Sequence, residues 1–463
     1  MHPARSARWS SPTAGWARCR TTTVPSSSAA ACAWSRRSRT RAAAASPKRS
    51  ARRCCACRPE ARGNRQPHRH PQRHIDIHED TDVRSTIETP IAPGDTDPAW
   101  TESAEFVLPG HPDKLCDAAA DAIVEHVMRG DALGQCGVEI ACVFDRVFVT
   151  GRIAAHRSVL DALDIAALVR RSYAEAGYGE DAAGHLWGPH PESLRIDTAL
   201  CFGEFEPGER EQRHLCDDQA ICVGYANTMA ATHQLPPAHW LANRIGRELF
   251  RLRAQRGAGQ IGPDGKVLAQ VRTDGRKWQP QRVSISLNHH VGSDWLALRR
   301  IAEEAVARAC AGKEMPEIAL NGAGMFVAGG PNGDNGTTGK KLVIDAYGPT
   351  VPIGGGAWSG KDFNKVDRAG GVLARKLALR AAKQARRDAR VELRYEPGGA
   401  HPAAISVWLD GRAVRAEEAG LPNAQALRTA MVSRRLIGEV QGALADRARW
   451  GHFTAPLRAP CVR

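Results

Sequence analysis

The first candidate site is a glycine-rich segment, residues 329–341, whose residue types suit an anion. Five glycines fall within eleven positions of it, and such a backbone can turn several N–H groups toward one phosphate. Lys340 and Lys341 close the segment, and Asp334 is its one carboxylate. Phe326 precedes it at the end of a predicted strand, where its ring could stack on a base. The alternative is a glycine hairpin with a solvated lysine pair.

A second glycine-rich segment, residues 354–368, adds cations and a predicted helix start. A G-x-x-x-x-G-K spacing ends at Lys361, as in a P-loop, but Asp362 follows where a P-loop has Ser or Thr to hold magnesium. We therefore do not expect a P-loop kinase. A phosphate site is still favoured, because Lys361, Lys365 and the helix start at Asp367 lie so close together.

The third cluster, residues 110–114, precedes another predicted helix. Pro112 fixes the backbone where the loop meets the helix. Asp113 could ligate a hard cation, Lys114 could face an anion, and His111 could hydrogen-bond an ester oxygen. The alternative is an ordinary helix start with Asp in its first turn.

Two smaller clusters are Asp-Asp-Gln at residues 217–219 and Pro-Asp-Gly-Lys at residues 263–266, the second of which is by itself a common turn. Lysines alone would suit any anion. Carboxylates beside them indicate Mg²⁺ bridging a polyphosphate, as in nucleotide enzymes. We find no convincing Ser-His-Asp or Cys-His arrangement and no zinc framework, since the cysteines at 54, 55 and 57 lack a second pair at finger spacing.

The net charge of +14 on the 463-residue chain resembles that of a nucleic-acid-binding protein, but its distribution argues otherwise. Residues 1–74 hold 16 Arg and one Lys against one acidic residue, Glu60, so the remainder carries about −2. We expect no nucleic-acid partner for the folded body. The scattered cysteines suit a reducing cytoplasm, and no apolar run is long enough for a membrane span.

The basic head is rich in Arg, Ala and Ser, and we predict that residues 1–100 are a disordered extension and linker. Three explanations are open: an organellar transit peptide, a nucleic-acid-binding tail, or a translation start placed too far upstream. Runs such as the four alanines at residues 42–45 look like translated sequence that is not under selection, and they favour the third explanation. The lack of a methionine between Met1 and Met128 counts against it.

The body reads as α+β, because strands occur in clusters and helices follow them. Helices are predicted over Asp117–Met128, Ser158–Ala176, Pro237–Ala254, Asp294–Ala311 and Asp367–Arg387. Strands are predicted over Ser193–Phe202, Ile318–Val327, Leu342–Ala346, Val391–Tyr395 and Ala404–Leu409, with a hairpin over Val267–Asn288 and a mobile loop over 203–214. Val138–Phe148 is predicted as a strand that turns at Asp145-Arg146, with Gly151 ending the pair. Three lobes are predicted, over residues 101–202, 203–312 and 313–463.

Four motifs resemble those of the S-adenosylmethionine synthetase family: Gly-His-Pro-Asp-Lys at 110–114, Gly-Gly-Pro-x-Gly-Asp-x-Gly at 329–336, Thr-Gly-Lys-Lys at 338–341, and Gly-Gly-Gly-Ala-Trp-Ser-Gly-Lys-Asp-x-x-Lys-Val-Asp-Arg at 354–368. The likeness runs from about Glu105 to Asp410. It implies three interleaved lobes of similar topology, and a homodimer or homotetramer with active sites at the subunit interface. The implied reaction transfers the adenosyl group of ATP to the sulfur of methionine, and the released triphosphate is hydrolysed to pyrophosphate and phosphate.

The resemblance also implies roles for individual residues. Those implied to be catalytic are His111, Lys266, Lys361 and Lys365. Those implied to bind ATP are His111, Asp218, Asp264, Gly265, Lys266, Phe326, Asp334, Lys340, Lys341, Ala357 and Lys361. Asp334 and Lys365 would lie between nucleotide and amino acid. Asp113 and Asp367 would hold Mg²⁺, with two ions per site, and Glu139 would lie at a K⁺ site.

The residues at the positions expected to contact methionine depart from the family pattern. Arg152 stands where the family has a Glu that meets the ammonium group of methionine, and Phe205 stands near the position of a substrate-binding Gln. We expect an arginine there to repel an ammonium group by roughly 1–4 kcal/mol, and to welcome a carboxylate. Two alternatives to a methionine adenosyltransferase therefore stay open: an adenosyltransferase-like enzyme with another sulfur acceptor, and a non-catalytic ATP-binding paralogue.

Overall fold

Three four-stranded sheets form the framework of the protein. The computed structural model describes residues 100–181, 184–257, 261–429 and 444–454. Apart from Trp100, the predicted basic extension therefore lies outside the described residues. None of the described helices has the length and apolar character that crossing a membrane would require.

The described strands come mostly in groups of two to four along the chain, with helices between the groups. The strands are β1 (Trp100–Val107), β2 (Gln135–Val143), β3 (Arg146–Ala154), β4 (Gly179–Glu180), β5 (Leu186–Trp187), β6 (Arg195–Gly203), β7 (Ala220–Ala226), β8 (Gly265–Thr273), β9 (Trp278–Leu287), β10 (Glu317–Leu320), β11 (Gly336–Thr337), β12 (Ala389–Tyr395), β13 (Ala404–Leu409) and β14 (Arg412–Val414). The helices are α1 (Pro112–Gly130), α2 (Arg157–Asp161), α3 (Ile165–Ala176), α4 (Pro237–Leu252), α5 (Trp295–Cys310), α6 (Leu342–Ala346), α7 (Val366–Ala385) and α8 (Leu444–Trp450).

The sheets have the strand orders β1-β8-β9-β10, β11-β2-β3-β6 and β14-β13-β12-β7, and β4 pairs with β5 in a separate ribbon. The first two sheets share one topology: an antiparallel hairpin is flanked by an antiparallel strand on one side and a parallel strand on the other. The third sheet has its hairpin, β12–β13, between two antiparallel neighbours. The α+β class is confirmed. Each sheet combines strands from at least two of the three predicted lobes, whose boundaries stay a prediction.

Each sheet forms a hydrophobic core with the helices that cover one of its faces. The second sheet packs against α1 and α3, the first against α4 and α5, and the third against α7. Ile123, Leu249 and Val391 are fully buried representatives of the three cores. Burial of such a side chain contributes roughly 1.5–3 kcal/mol. These cores fix the positions of the loops that leave each sheet.

Helix α7 lies very close to β7, because the residues at their contact are small. A Cβ on Gly224 would lie 2.0 Å from the carbonyl carbon of Ala374. Ala374, Ala378 and Ala381 form the buried stripe of the helix. The start of α7, where Lys365 and Asp367 lie, is therefore held firmly against the third sheet.

The long helices α1, α4, α5 and α7 and the hairpin β8–β9 confirm the predictions, but two other predicted elements are wrong in extent. The helix predicted over Ser158–Ala176 is interrupted, because the carboxylate of Asp164 accepts a hydrogen bond from the N–H of Ala167 (2.9 Å) and starts a new helix, α3. The strand predicted over Ile318–Val327 ends early, because Asn321 has a left-handed backbone with φ of 45°.

The segment Leu342–Ala346 is the helix α6 and not the predicted strand. A ring nitrogen of His239 lies 2.8 Å from the carbonyl oxygen of Ile344, so this single turn is held by a tertiary contact that local sequence does not show. The prediction also missed β1 and β7. Strand β1 carries Glu102, whose buried carboxylate accepts from the N–H of Ala238 at the start of α4 (3.1 Å).

His239 makes the stability of the fold depend on pH. Burial lowers the pKa of this histidine from 6.5 to about 4. Between those values the unfolded chain binds more protons, so stability falls as pH is lowered. We expect His239 alone to reduce the free energy of unfolding by about 2 kcal/mol between pH 7 and pH 5. Urea unfolding at both pH values would measure this, and His239→Gln should show a correspondingly smaller pH dependence. Equal pH dependence in both proteins would contradict the assignment.

Candidate active site

The first turn of α1 places His111 and Asp113 side by side. His111 caps the helix: its Nδ1 accepts a hydrogen bond from the N–H of Asp113 (3.2 Å), and Pro112 follows as the first helical residue. Burial and the positive charge of Lys341 lower the pKa of His111 to about 3, so its imidazole is neutral near pH 7. A neutral imidazole whose Nδ1 accepts carries its proton on Nε2, from which it can donate to a ligand.

Three carboxylates, on successive turns of α1, hold both glycine-rich segments in place. Asp113 accepts from the N–H of Thr337 (2.8 Å), and Asp117 accepts from the N–H of Gly339 (2.7 Å). Four residues further, Asp121 accepts from the N–H of Gly360 (2.9 Å). We call these three residues the acidic row. They are spaced i, i+4, i+8, which places them on one face of a helix.

Two members of the acidic row also pair with cations. Asp121 forms two hydrogen bonds with the guanidinium group of Arg368 (2.6 and 2.7 Å), and both side chains are buried. Asp113 accepts from the Nζ of Lys341 (2.6 Å). Burial alone would raise the pKa of Asp113, but the hydrogen bonds from Lys341 and the N–H of Thr337 outweigh it and lower the pKa.

The remaining member, Asp117, is buried close to a second carboxylate. Burial, and then the nearby carboxylate of Asp345, raise its pKa well above the ordinary value. Asp345 itself accepts a hydrogen bond from Lys114, and both of these side chains are buried. Lys114, predicted to face an anion, therefore pairs with a carboxylate inside the protein.

The second glycine-rich segment lies against the first. A Cβ on Gly339 would lie 2.4 Å from the Cβ of Ala357, so the segments touch at these two residues. The Nζ of Lys361 is 2.5 Å from an oxygen of Asp367, and a Cβ on Gly356 would overlap that carboxylate. Lysine, carboxylate and a bare glycine backbone thus meet at the start of α7, as an anion site with an adjacent metal ligand requires.

Asp264 connects the Pro-Asp-Gly-Lys cluster at 263–266 to the first glycine-rich segment. Its buried carboxylate accepts from the N–H of Gly330 (2.8 Å), and burial raises its pKa. Tyr178 donates to the carbonyl oxygen of Gly110 (2.6 Å) and touches Gly330 from the other side. The neighbouring Gly265 is buried in β8, and Lys266 is exposed.

The charges of Lys266 and Asp334 act on His111. Lys266 lowers its pKa, and Asp334 raises it. Asp334 and Lys340 are exposed, while Lys341 is half-buried. The structure therefore brings together most of the residues predicted to bind ATP, around the first turn of α1.

Phe326 was predicted at the end of a strand, but it lies in the loop after β10. Its backbone is fixed by the imidazole of His289, which accepts from the N–H of Phe326 (3.1 Å), and by the amide of Asn288, which donates to its carbonyl oxygen (3.0 Å). The ring is half-buried, and the neighbouring Met325 is exposed. Its stacking role stays a prediction.

Two further predicted site residues, Glu139 and Asp218, are exposed. Glu139 lies on β2, and Asp218 accepts from the N–H of Gln219 (2.7 Å). The described residues contain no group of three His, Cys, Asp or Glu side chains that could hold a metal ion. Mg²⁺ usually takes one or two carboxylates, with waters and substrate phosphates completing its shell. Asp113 and Asp367 are carboxylates of the type that Mg²⁺ takes, each beside a lysine that suits a phosphate, and their role as its ligands stays a prediction.

Two stretches of the chain match known family models. The model for the S-adenosylmethionine synthetase N-terminal domain matches residues 100–191, and the model for the C-terminal domain matches residues 328–455. The chain belongs to the S-adenosylmethionine synthetase family. The first match contains the whole acidic row, and the second contains both glycine-rich segments.

Within this S-adenosylmethionine synthetase fold, the partner of Arg152 differs from the one that the sequence suggests. Arg152 does meet a carboxylate, but the carboxylate belongs to the protein: one of its terminal nitrogens donates to both oxygens of Glu209 (2.6 and 2.8 Å). It also donates to Gln135 (3.2 Å) and Cys201 (3.1 Å). Burial opposes its charge, but Glu209 outweighs this and raises the pKa of Arg152. A cation so neutralised has little repulsion left for an ammonium group.

Phe205, the other departure, packs beneath a guanidinium group. The Cζ of Arg210 lies 5.1 Å from the centre of its ring. Arg210 in turn makes two hydrogen bonds with Asp131 (both 2.7 Å). Phe205 thus helps to fix the segment that contains it. Its predicted contact with substrate stays a prediction.

Sequence reasoning assigned no role to Asp117, Asp121, Arg368 and Glu209, and it placed Asp217 in a small cluster without its partner. The first two carried a signal, because Asp at i, i+4 and i+8 in a helix otherwise rich in Ala, Ile and Val marks a buried polar face. The other three carried none, since their partners are remote in sequence: Lys365 donates to Asp217 (2.7 Å) across 148 positions.

Loss of the Asp121 carboxylate should destabilise the protein strongly. Asp121→Ala leaves Arg368 buried without its counter-ion, and we expect a cost of about 3–5 kcal/mol. The matched control is Asp161→Ala, which removes an exposed pair with Arg157 on α2 and should change stability by less than about 0.5 kcal/mol. Urea unfolding measures both. Similar small effects would show that Asp121 does not anchor Gly360.

Proposed function

We propose that this member of the S-adenosylmethionine synthetase family is a methionine adenosyltransferase, which forms S-adenosylmethionine from ATP and methionine. The observation that carries the proposal is the pairing of lysines with carboxylates along both glycine-rich segments: Lys341 with Asp113, and Lys361 with Asp367. When a triphosphate binds with Mg²⁺, each group of these ion pairs can take a new partner: the lysines can bind phosphate oxygens, and the carboxylates can bind Mg²⁺.

In the proposed reaction, the methionine sulfur attacks C5′ of ATP. A C–S bond forms, the C5′–O bond breaks, and its electron pair leaves with the triphosphate. A thioether sulfur has a free lone pair and needs no base. The main demand on the protein is therefore to stabilise a leaving group of about four negative charges, which preorganised cations do best.

The residues around α1 would divide this work. Lys266, Lys340, Lys341 and Lys361 would neutralise the phosphates. His111, neutral because of burial, would donate from Nε2 to the bridging 5′ oxygen without placing a further charge there. Asp113 and Asp367 would hold Mg²⁺, whose chemistry is to offset charge on the phosphate oxygens. Hydrolysis of the released triphosphate to pyrophosphate and phosphate would follow at the same cations.

Two further parts of the proposal rest on the family alone: a K⁺ ion at Glu139, and a homodimer or homotetramer with active sites at the subunit interface. The proposed cytoplasmic location rests on the scattered cysteines. The Arg152–Glu209 pair weakens the case for a different sulfur acceptor, because it removes the charge that would have repelled methionine.

One assay tests the proposed reaction. The purified chain is incubated with ATP, Mg²⁺, K⁺ and methionine, and S-adenosylmethionine and phosphate are measured together. We expect both products. Phosphate without S-adenosylmethionine would point to another acceptor, and ATP binding with neither product would point to a non-catalytic paralogue.

Lys361 should be essential to turnover. We expect Lys361→Ala to lower kcat by a factor of about 10² or more while leaving the thermal unfolding midpoint nearly unchanged, since its side chain supports the leaving group and not the core. Lys383→Ala, which removes an exposed lysine near the end of α7, is the matched control and should retain full activity. A near-normal rate for Lys361→Ala would remove its phosphate role.

A further inference from the structure

The ion pair between Lys365 and Asp217 joins the second glycine-rich segment to the segment between β6 and β7, 148 residues earlier in the chain. Nζ of Lys365 lies 2.7 Å from an oxygen of Asp217, and the two side chains are 18% and 31% exposed. Lys365 crosses β2 at Gly137, where a Cβ would lie only 3.1 Å from its Cε. The pair is therefore accessible at one edge of the site and fixed beside the second sheet.

The segment that carries Asp217 is anchored to the body of the protein at three points. Glu209 binds Arg152, Arg210 binds Asp131, and Arg213 binds Asp362. The Arg213–Asp362 pair is fully buried, and Asp362 also accepts from the N–H of Cys136 (2.8 Å). Because Asp362 belongs to the second glycine-rich segment, this anchor fixes the distance between the two chain segments.

The backbone immediately before Asp217 is fixed as well. Cys216 donates from its N–H to the carbonyl oxygen of Gly399 (2.9 Å) and accepts from the N–H of Gly398 (2.8 Å). Asp217 is thus held in its position by the fold. Its contact with Lys365 therefore follows from this fixed backbone position, although the residue is exposed.

The Lys365–Asp217 pair suits a ligand that carries both a negative and a positive group. Asp113 and Asp367 are the proposed Mg²⁺ ligands and Asp217 is not, so a phosphate at Lys365 would leave the Asp217 carboxylate facing a like charge. Glu209 is less available for a ligand, because both of its oxygens accept from Arg152 and one also accepts from the N–H of Glu206. A zwitterion could insert between Lys365 and Asp217 with no change in net charge, its carboxylate on the lysine and its ammonium group on the aspartate.

We infer that Asp217 binds the ammonium group of the amino-acid acceptor and determines specificity for a zwitterion. The inference rests on the proposed function for the identity of the acceptor. It assigns to Asp217, from a segment remote in sequence, the negative charge that is absent where Arg152 stands. Glu209 and Arg152 then serve as positioning residues that hold the segment in place.

The test compares binding of three probes to the wild-type chain and to Asp217→Asn. The probes are L-methionine, methioninol, which lacks the carboxylate, and 4-(methylthio)butanoate, which lacks the ammonium group. Binding is measured by isothermal titration with Mg²⁺ and a non-hydrolysable ATP analogue present. We expect the variant to bind methionine and methioninol about ten- to a hundredfold more weakly, as for loss of a charged hydrogen bond. Binding of 4-(methylthio)butanoate should change less than about twofold.

Glu211→Gln is the matched control, because it neutralises an exposed carboxylate of the same segment. It should bind all three probes as the wild type does. Equal weakening of all three probes by Asp217→Asn would overturn the inference in favour of a general structural role, and unchanged methionine affinity would overturn it outright. The binding data are independent of turnover. If the wild-type chain binds methionine through Asp217 but forms no S-adenosylmethionine, the proposed function fails and the ammonium site stands.

Discussion

The structure depends on the burial of three carboxylates along one face of α1. A buried carboxylate is costly unless its oxygens are occupied, and here the occupants are backbone N–H groups of the glycine-rich segments. Each partner stabilises the other: glycine-rich backbone has little intrinsic order, and its N–H groups supply hydrogen bonds to the buried acids beside those from Arg368 and Lys341. The acidic row is therefore what turns two flexible segments into a preformed site.

The same constraint explains why the site is neither strongly positive nor strongly negative. Lysines gathered for a polyphosphate would repel one another, and the carboxylates beside them relieve this. In the proposed reaction each lysine and each carboxylate would have a use in binding Mg²⁺–triphosphate, so ligand binding would exchange partners and leave few charges without a counter-ion. Lys114 and Asp345 do not take part in this exchange. They are buried together and contribute to holding α1 against α6.

The glycine and lysine spacings could be recognised in sequence, because the chemistry of a phosphate segment is local. The long amphipathic helices were predictable for the same reason. What local sequence could not show was pairing between remote residues. Arg152 was expected to welcome a carboxylate, and it does, but nothing near it in sequence indicated Glu209. The strand prediction for Leu342–Ala346 was wrong for a similar reason. Its β-branched residues indicate a strand, but a contact from His239 stabilises one helical turn instead.

The long sequence separation between the acidic row and its partners has a consequence for synthesis of the protein. Helix α1 leaves the ribosome more than two hundred residues before Thr337 and Gly360. Until then the row has no backbone partners, and its charges favour hydration over burial. Strand β11, which completes the second sheet, is made equally late. The nascent chain must therefore keep its first lobe unfinished, and the active site forms only when nearly all of the protein has been translated.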